Sequence, residues 1–241
     1  MSELAVKPIP RRGRLGVILV FALGLLALGY AVVQISTQKP DTGLVHVAGA
    51  AEVQEIFGGV RQEGDRLGPE DAPVTIQVFN DLQCESCRQA FLGTIPTLTE
   101  KYVRNGDVKL LYRHYSNAEN TEELGFYGAE AAAEQGYGWQ YTYLFFRNQD
   151  EAKRVGVNQD FLASVAASVG ELDVPEWEKA MEEEVGSGGT ISQQLESYES
   201  LGRELGIRVG QAMIVTGPNG TKTLQDSPKL AEVEQAIAEV E

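Results

Sequence analysis

Val74-Thr75-Ile76-Gln77-Val78-Phe79-Asn80-Asp81-Leu82-Gln83-Cys84-Glu85-Ser86-Cys87 decides how the rest of the chain is read. Its first six residues alternate β-branched or aromatic side chains with polar ones, the pattern of a strand. From Cys87 onward the apolar positions Cys87, Phe91, Ile95, Leu98 and Tyr102 recur at the spacing of one buried helical face. The two cysteines therefore stand where a strand hands over to a helix. Pro96 falls inside that helical pattern, where it removes a backbone hydrogen bond and predicts a kink.

Cys84 and Cys87 are the only cysteines in the chain, so no framework of structural disulfides is available. A C-x-x-C pair alone fits half a zinc site or a redox pair. Structural zinc takes four ligands, yet His46 and His114 are the only histidines. His46 falls in a linker, and His114 ends a strand, where it reads as a residue with a backbone partner rather than a catalytic base. No metal and no cofactor are expected. At a helix start, by contrast, unpaired N–H groups and the positive end of the helix dipole stabilise a thiolate. Cys84 is then the exposed nucleophile, and Cys87, one turn further in, closes the disulfide or resolves a mixed one. Glu85 and Asp81 are the candidates for tuning the pair. Glu85 opposes ionisation of its neighbour, which predicts a Cys84 less acidified than in the strongest oxidants of this type. Asp81 reads as a turn or cap residue, the alternative being a proton shuttle if it lies beneath Cys87.

Further along, Val108–His114 follows an Asn105-Gly106 turn and reads as a second strand. From about 118 to 205 the chain reads as helical, with segments at Glu122–Glu134, Trp139–Phe146, Gln159–Val169, Glu176–Glu184 and Ile191–Leu205, the last preceded by a break at Gly186-Ser187-Gly188-Gly189. Ala212–Thr216 and Thr221–Leu224 flank Gly217-Pro218-Asn219-Gly220 as a hairpin. Ser227-Pro228 starts a last helix with proline at its first position. Strand, helix, strand, helical block, hairpin, helix describes an α/β sheet covered by helices.

Upstream, Leu15 to Val33 carries no charge and is about long enough, near 20 residues, to span a hydrocarbon core. It exceeds the apolar region of a cleaved signal peptide, and the nearest small-x-small site, Ala48-Gly49-Ala50, lies well beyond it. Lys7, Arg11, Arg12 and Arg14 precede it, which keeps the N-terminus in the cytoplasm. The expected organisation is a cytoplasmic tail over 1–14, a transmembrane helix over 15–33, a linker over 34–51, and an extracytoplasmic domain over 52–241. Whole-chain net charge is −15, and the domain is more acidic still because those four basic residues lie before it. Such a surface repels phosphate backbones and argues against nucleic-acid binding.

Phe79-Asn80-Asp81-Leu82-Gln83-Cys84-Glu85-Ser86-Cys87, with Gly68-Pro69-Glu70-Asp71-Ala72-Pro73-Val74 before it and Tyr112-Arg113-His114-Tyr115 after, resembles the DsbA-like oxidoreductases of bacteria, especially the membrane-anchored Gram-positive and actinobacterial members. The resemblance covers about 68–241. It implies a thioredoxin-like fold with a large helical insertion and disulfide exchange with secreted proteins as these fold. It also implies reoxidation by a membrane partner of the DsbB or vitamin K epoxide reductase type. Members of that family place a cis-proline before the strand facing the cysteines, preceded by a residue whose backbone contacts substrate. Here Gln211 and Ala212 occupy those positions, and a cis bond before a non-proline residue costs about 2.5–4 kcal/mol, which predicts a trans peptide.

Two functions follow. One is a membrane-tethered enzyme using Cys84 and Cys87 to form disulfides in secreted or membrane proteins. The other is a thioredoxin-like binding or chaperone module whose disulfide is structural. An accessible, reducible disulfide separates the first from the second.

Overall fold

The alternation in Val74–Asn80 places Val74, Ile76, Val78 and Asn80 on one fully buried face, while Thr75 and Gln77 are half-buried on the other. This is strand β3 of a six-stranded sheet. The computed structural model describes residues 45–116, 124–187, 189–208 and 211–241. The expected tail, transmembrane helix and most of the linker lie outside them. Among the described residues no helix is long and apolar enough to cross a membrane.

Strands β1 (Gln62–Glu63) and β2 (Arg66–Leu67) precede β3, and β4 (Val108–His114), β5 (Ala212–Gly217) and β6 (Gly220–Leu224) follow it. Their order across the sheet is β1-β2-β4-β3-β5-β6. Among the described strands only β3 and β4 are parallel, with Val74 opposite Val108 and Asn80 opposite His114. β5 runs antiparallel to β3, Thr75 facing Thr216 and Phe79 facing Ala212. A parallel pair requires a crossover, which helix α2 (Glu85–Leu98) supplies. Pro96 lies inside α2, and just beyond it the chain enters a π turn at Thr99–Val103, where the Thr99 N–H reaches both Ile95 O and Pro96 O. The short β1–β2 hairpin falls in the glycine-rich stretch before Ala72, where two-residue strands carry no readable period.

Helices α3 (Leu124–Glu134), α4 (Gly138–Arg147), α5 (Gln149–Val155), α6 (Gln159–Ala167), α7 (Val174–Ser187) and α8 (Thr190–Glu204) stand between β4 and β5, and α9 (Leu230–Val240) ends the chain. The result is a thioredoxin-like α/β fold with a helical insertion. α4 is almost entirely buried, from Trp139 to Phe146. Trp139 stacks on Phe91 of α2 at 6.1 Å between ring centroids and meets Tyr112 of β4 edge-on at 5.6 Å. At the other end of the insertion, Gly202 of α8 lies against Tyr115, whose ring fills the space a Cβ there would need.

Two expectations are corrected. The end of the expected linker packs onto the domain: Val47 is buried, the Val45 N–H donates to Ser164 Oγ at 2.8 Å, and Ala48 exchanges two hydrogen bonds with the Asn148 side chain. Helix α1 (Ala50–Phe57) then starts before residue 52 and buries Val53 and Phe57. Pro228 is not the first residue of the last helix. Lys229 is its N-cap, and the Lys229 N–H donates to the Glu232 carboxylate at 2.7 Å, so the helix starts two residues later than the proline suggests.

Candidate redox site

Cys84 is the N-cap of α2: its backbone is extended, and its Sγ accepts the Cys87 N–H at 3.1 Å. A sulfur thus occupies the position usually taken by a Ser or Asp oxygen, where the helix dipole favours negative charge. The two cysteines form a disulfide with their Cα atoms 5.2 Å apart, inside the range a disulfide spans without backbone movement. Cys84 is half-buried and Cys87 fully buried. Ser86 Oγ lies 3.2 Å from Cys84 Sγ.

The loop ahead of Cys84 is held from two sides. Asp81 accepts the Gln83 N–H at 2.8 Å and the Ser116 hydroxyl at 3.0 Å, and its backbone carbonyl accepts the Cys84 N–H at 3.2 Å. From α5 of the insertion, Gln149 Nε2 donates to the carbonyls of Leu82 at 2.7 Å and Cys84 at 3.3 Å. Sequence reasoning offers no sign of Gln149, because its partners are backbone atoms remote along the chain.

Glu85 does not stand alone beside Cys84. Its carboxylate accepts from Lys153 Nζ and Arg88 Nη2, each at 2.6 Å, and from Gln89 Nε2 at 3.2 Å. The hydrogen bonds from Lys153, then Arg88 and Gln89, pull its pKa down to about 2. The expected opposition of Glu85 to thiolate formation is therefore countered by two cations that the local sequence does not advertise.

His114 has a side-chain partner rather than the expected backbone one. Its Nε2 lies 3.1 Å from Glu130 Oε1 of α3, with both side chains largely out of water. Burial, with the nearby charges of Asp81 and Glu130, pushes the Tyr112 phenol well above its ordinary pKa. Asn80 is opposite His114, and Gln211 precedes the residue paired with Phe79, so all three share the face covered by α2. Asn80 and Gln211 are fully buried, and among the described residues no hydrogen-bond partner meets either side-chain amide. The Gln211 carbonyl accepts the Ser227 N–H at 2.8 Å. Gln211 thus turns its side chain inward, and Ala212 is buried with no cis peptide among the described residues. His46 is exposed, and among the described residues no three His, Cys, Asp or Glu side chains gather as a metal site.

Open grooves flank the disulfide. One of about 340 Å³ runs from Ser86 past Gly93 to Lys229 and Leu230. Another of about 300 Å³ lies between Gln83, Phe145, Gln149 and Val157.

Residues 61–222 match the family model described as thioredoxin. The chain belongs to the thioredoxin family. Within that family it is a DsbA-like thiol-disulfide oxidoreductase, and the Cys84–Cys87 pair fits the family's C-x-x-C pattern. It is 26% identical over 168 residues to a Bacillus cereus protein named "Probable disulfide bond formation protein D", covering 68% of this chain and 72% of that one. Among solved thioredoxin-fold structures, oxidised BdbD of Bacillus subtilis superposes with a TM-score of 0.61 at 19% identity, over 74% of this chain and 96% of that one. Wolbachia pipientis alpha-DsbA1 gives 0.60 at 15%, over 73% and 89%. At these identities the two structures speak for the fold.

Proposed function

We propose that this chain is a membrane-tethered, extracytoplasmic oxidoreductase that forms disulfides in secreted or membrane proteins through Cys84 and Cys87. The observation that carries the reading is the position of Cys84 Sγ at the start of α2, half-buried and already accepting a backbone N–H, with Cys87 sealed behind it. A substrate thiolate attacks Cys84 Sγ, a mixed disulfide forms, and Cys87 leaves as a thiolate that takes up a proton. A second substrate thiolate then attacks the substrate sulfur of that bond, and Cys84 leaves as a thiolate stabilised by the helix start. The substrate ends with a disulfide, and the protein holds two electrons as a dithiol. The flanking grooves give an extended substrate room on either side of the pair. The name of the Bacillus cereus relative supports disulfide formation as the direction. The membrane partner that removes the electrons is of the DsbB or vitamin K epoxide reductase type, as the family resemblance implies.

The test is the reduction potential of the pair by equilibration in glutathione buffers, with Cys84→Ser as control. A value between about −120 and −200 mV supports an oxidase, one near −270 mV points to a reductant, and a pair that never equilibrates sinks the reading.

Tethering is supported by the uncharged run Leu15–Val33 and the basic residues before it. On fractionation of cells, the full chain should sediment with membranes, resist carbonate and dissolve in detergent, while a chain starting at residue 34 behind a cleavable signal should be released. Carbonate extraction of the full chain would refute the anchor.

A further inference from the structure

The dipeptide between the cysteines is wired to the helical insertion. Glu85 Oε2 accepts from Lys153 Nζ of α5 at 2.6 Å, and Glu85 Oε1 accepts from Arg88 Nη2 at 2.6 Å and Nε at 3.1 Å. Arg88 Nη1 reaches Asp150 Oδ2 of α5 at 3.2 Å, and Lys153 Nζ lies 3.9 Å from the other Asp150 oxygen. Two carboxylates and two cations thus close a ring that sums to zero charge one residue from Cys84. Glu85 and Arg88 come from the cysteine helix, Asp150 and Lys153 from the insertion.

We propose that this ring sets the redox equilibrium of the Cys84–Cys87 pair, with Lys153 acting through Glu85 as a positioning residue that cancels a negative charge otherwise facing the Cys84 thiolate. The inference rests on the reading of Cys84 and Cys87 as the exchanging pair. The thiolate exists only in the reduced protein, so a nearby negative charge raises the energy of the reduced form and leaves that of the disulfide almost unchanged. Cancelling that charge favours the reduced form and makes the disulfide a stronger oxidant. With Lys153 in place the Glu85 pKa is held near 2, and even an ordinary carboxylate, at about 4.3, is ionised across the pH range of thiol exchange, so protonation does not relieve the charge when Lys153 is lost. All four side chains retain contact with solvent, so the effect is moderate and salt-sensitive.

Removing one member of each sign discriminates this from a structural role. Lys153→Gln leaves the ring at net −1 and lowers the equilibrium constant for oxidising glutathione about threefold, equivalent to about 14 mV. Glu85→Gln leaves it at net +1 and raises the constant by a similar factor. The double variant Glu85→Gln/Lys153→Gln restores neutrality and returns to within about 1.5-fold of the parent, and Lys153→Arg keeps the parent value. In 1 M salt, where the screening length is about 3 Å, the opposed shifts shrink toward zero. A parent protein that equilibrates normally while the two single variants move the same way, or not at all, overturns the inference. A parent that does not equilibrate overturns the exchanging-pair reading itself. Circular dichroism of each variant separates a shift in equilibrium from a failure to fold.

Discussion

Cys84→Ser is expected to reduce disulfide exchange to the background of the assay, and Cys87→Ser to turn the protein into a trap. The two outcomes differ because the sulfurs differ in surroundings: Cys84 is half-buried at the start of α2, Cys87 fully buried behind it. With Cys84 gone, the remaining thiol is screened from substrate and lacks the N-cap position that favours a thiolate. With Cys87 gone, Cys84 still forms a mixed disulfide, but no second protein thiol is present to displace the substrate, since the chain has no other cysteine. Single-turnover exchange with a dithiol peptide reads the first effect, and non-reducing gels after incubation with oxidised substrate read the second. Equal residual turnover in the two variants would refute the division of roles. A linked expectation concerns stability. If the pair is an oxidant, the reduced protein is the more stable form, since a disulfide that readily accepts electrons is one the folded state disfavours. Denaturant midpoints measured with and without reductant should then rank reduced above oxidised.

Trp139→Ala is expected to cost about 3–5 kcal/mol, the range for emptying a fully buried aromatic position. Trp139 is 1% exposed, its indole N–H donates to the Asp65 carbonyl at 3.0 Å, and its ring packs against both Phe91 and Tyr112. Phe91 lies one turn beyond Cys87 on the same helix, so this indole connects the insertion to the helix that carries the disulfide. A domain of ordinary stability, about 5–15 kcal/mol, would lose a large part of it. Urea unfolding followed by far-ultraviolet circular dichroism should show a lower midpoint at unchanged slope. A loss below about 1 kcal/mol would mean that the site collapses around the missing ring, and that α2 does not depend on α4 for support.

The strand–helix junction is legible in the sequence because its signals are local. The period changes from two to nearly four within a few residues of Cys84, and the Gly217–Gly220 turn announces the hairpin of β5 and β6. The helical insertion is legible as a block for the same reason. Contacts between distant segments are not legible. Glu130 meets His114, Lys153 meets Glu85, and Gln149 meets the Leu82 carbonyl only because the insertion folds back over the cysteine helix, and no spacing along the chain encodes that approach. α5, seven residues long, is too short to establish an amphipathic face. The inward-turned Asn80 and Gln211 amides run against the ordinary expectation that such groups find partners when buried, so residue type alone would have placed them at the surface.

The sheet also dictates an order of assembly. β3 and β4 are joined by one helix and can pair early, whereas the pairing of β3 with β5, Thr75 opposite Thr216, must wait for the whole insertion to be made. Closing so long a loop adds entropy that grows only with the logarithm of its length, yet contacts so distant along the chain slow folding. During synthesis the cysteines therefore emerge while one flank of their strand is still bare. The chain has no third cysteine to capture either of them. A nascent molecule can mispair only with another protein, so its errors would appear as covalent adducts between chains and never as scrambled isomers within one.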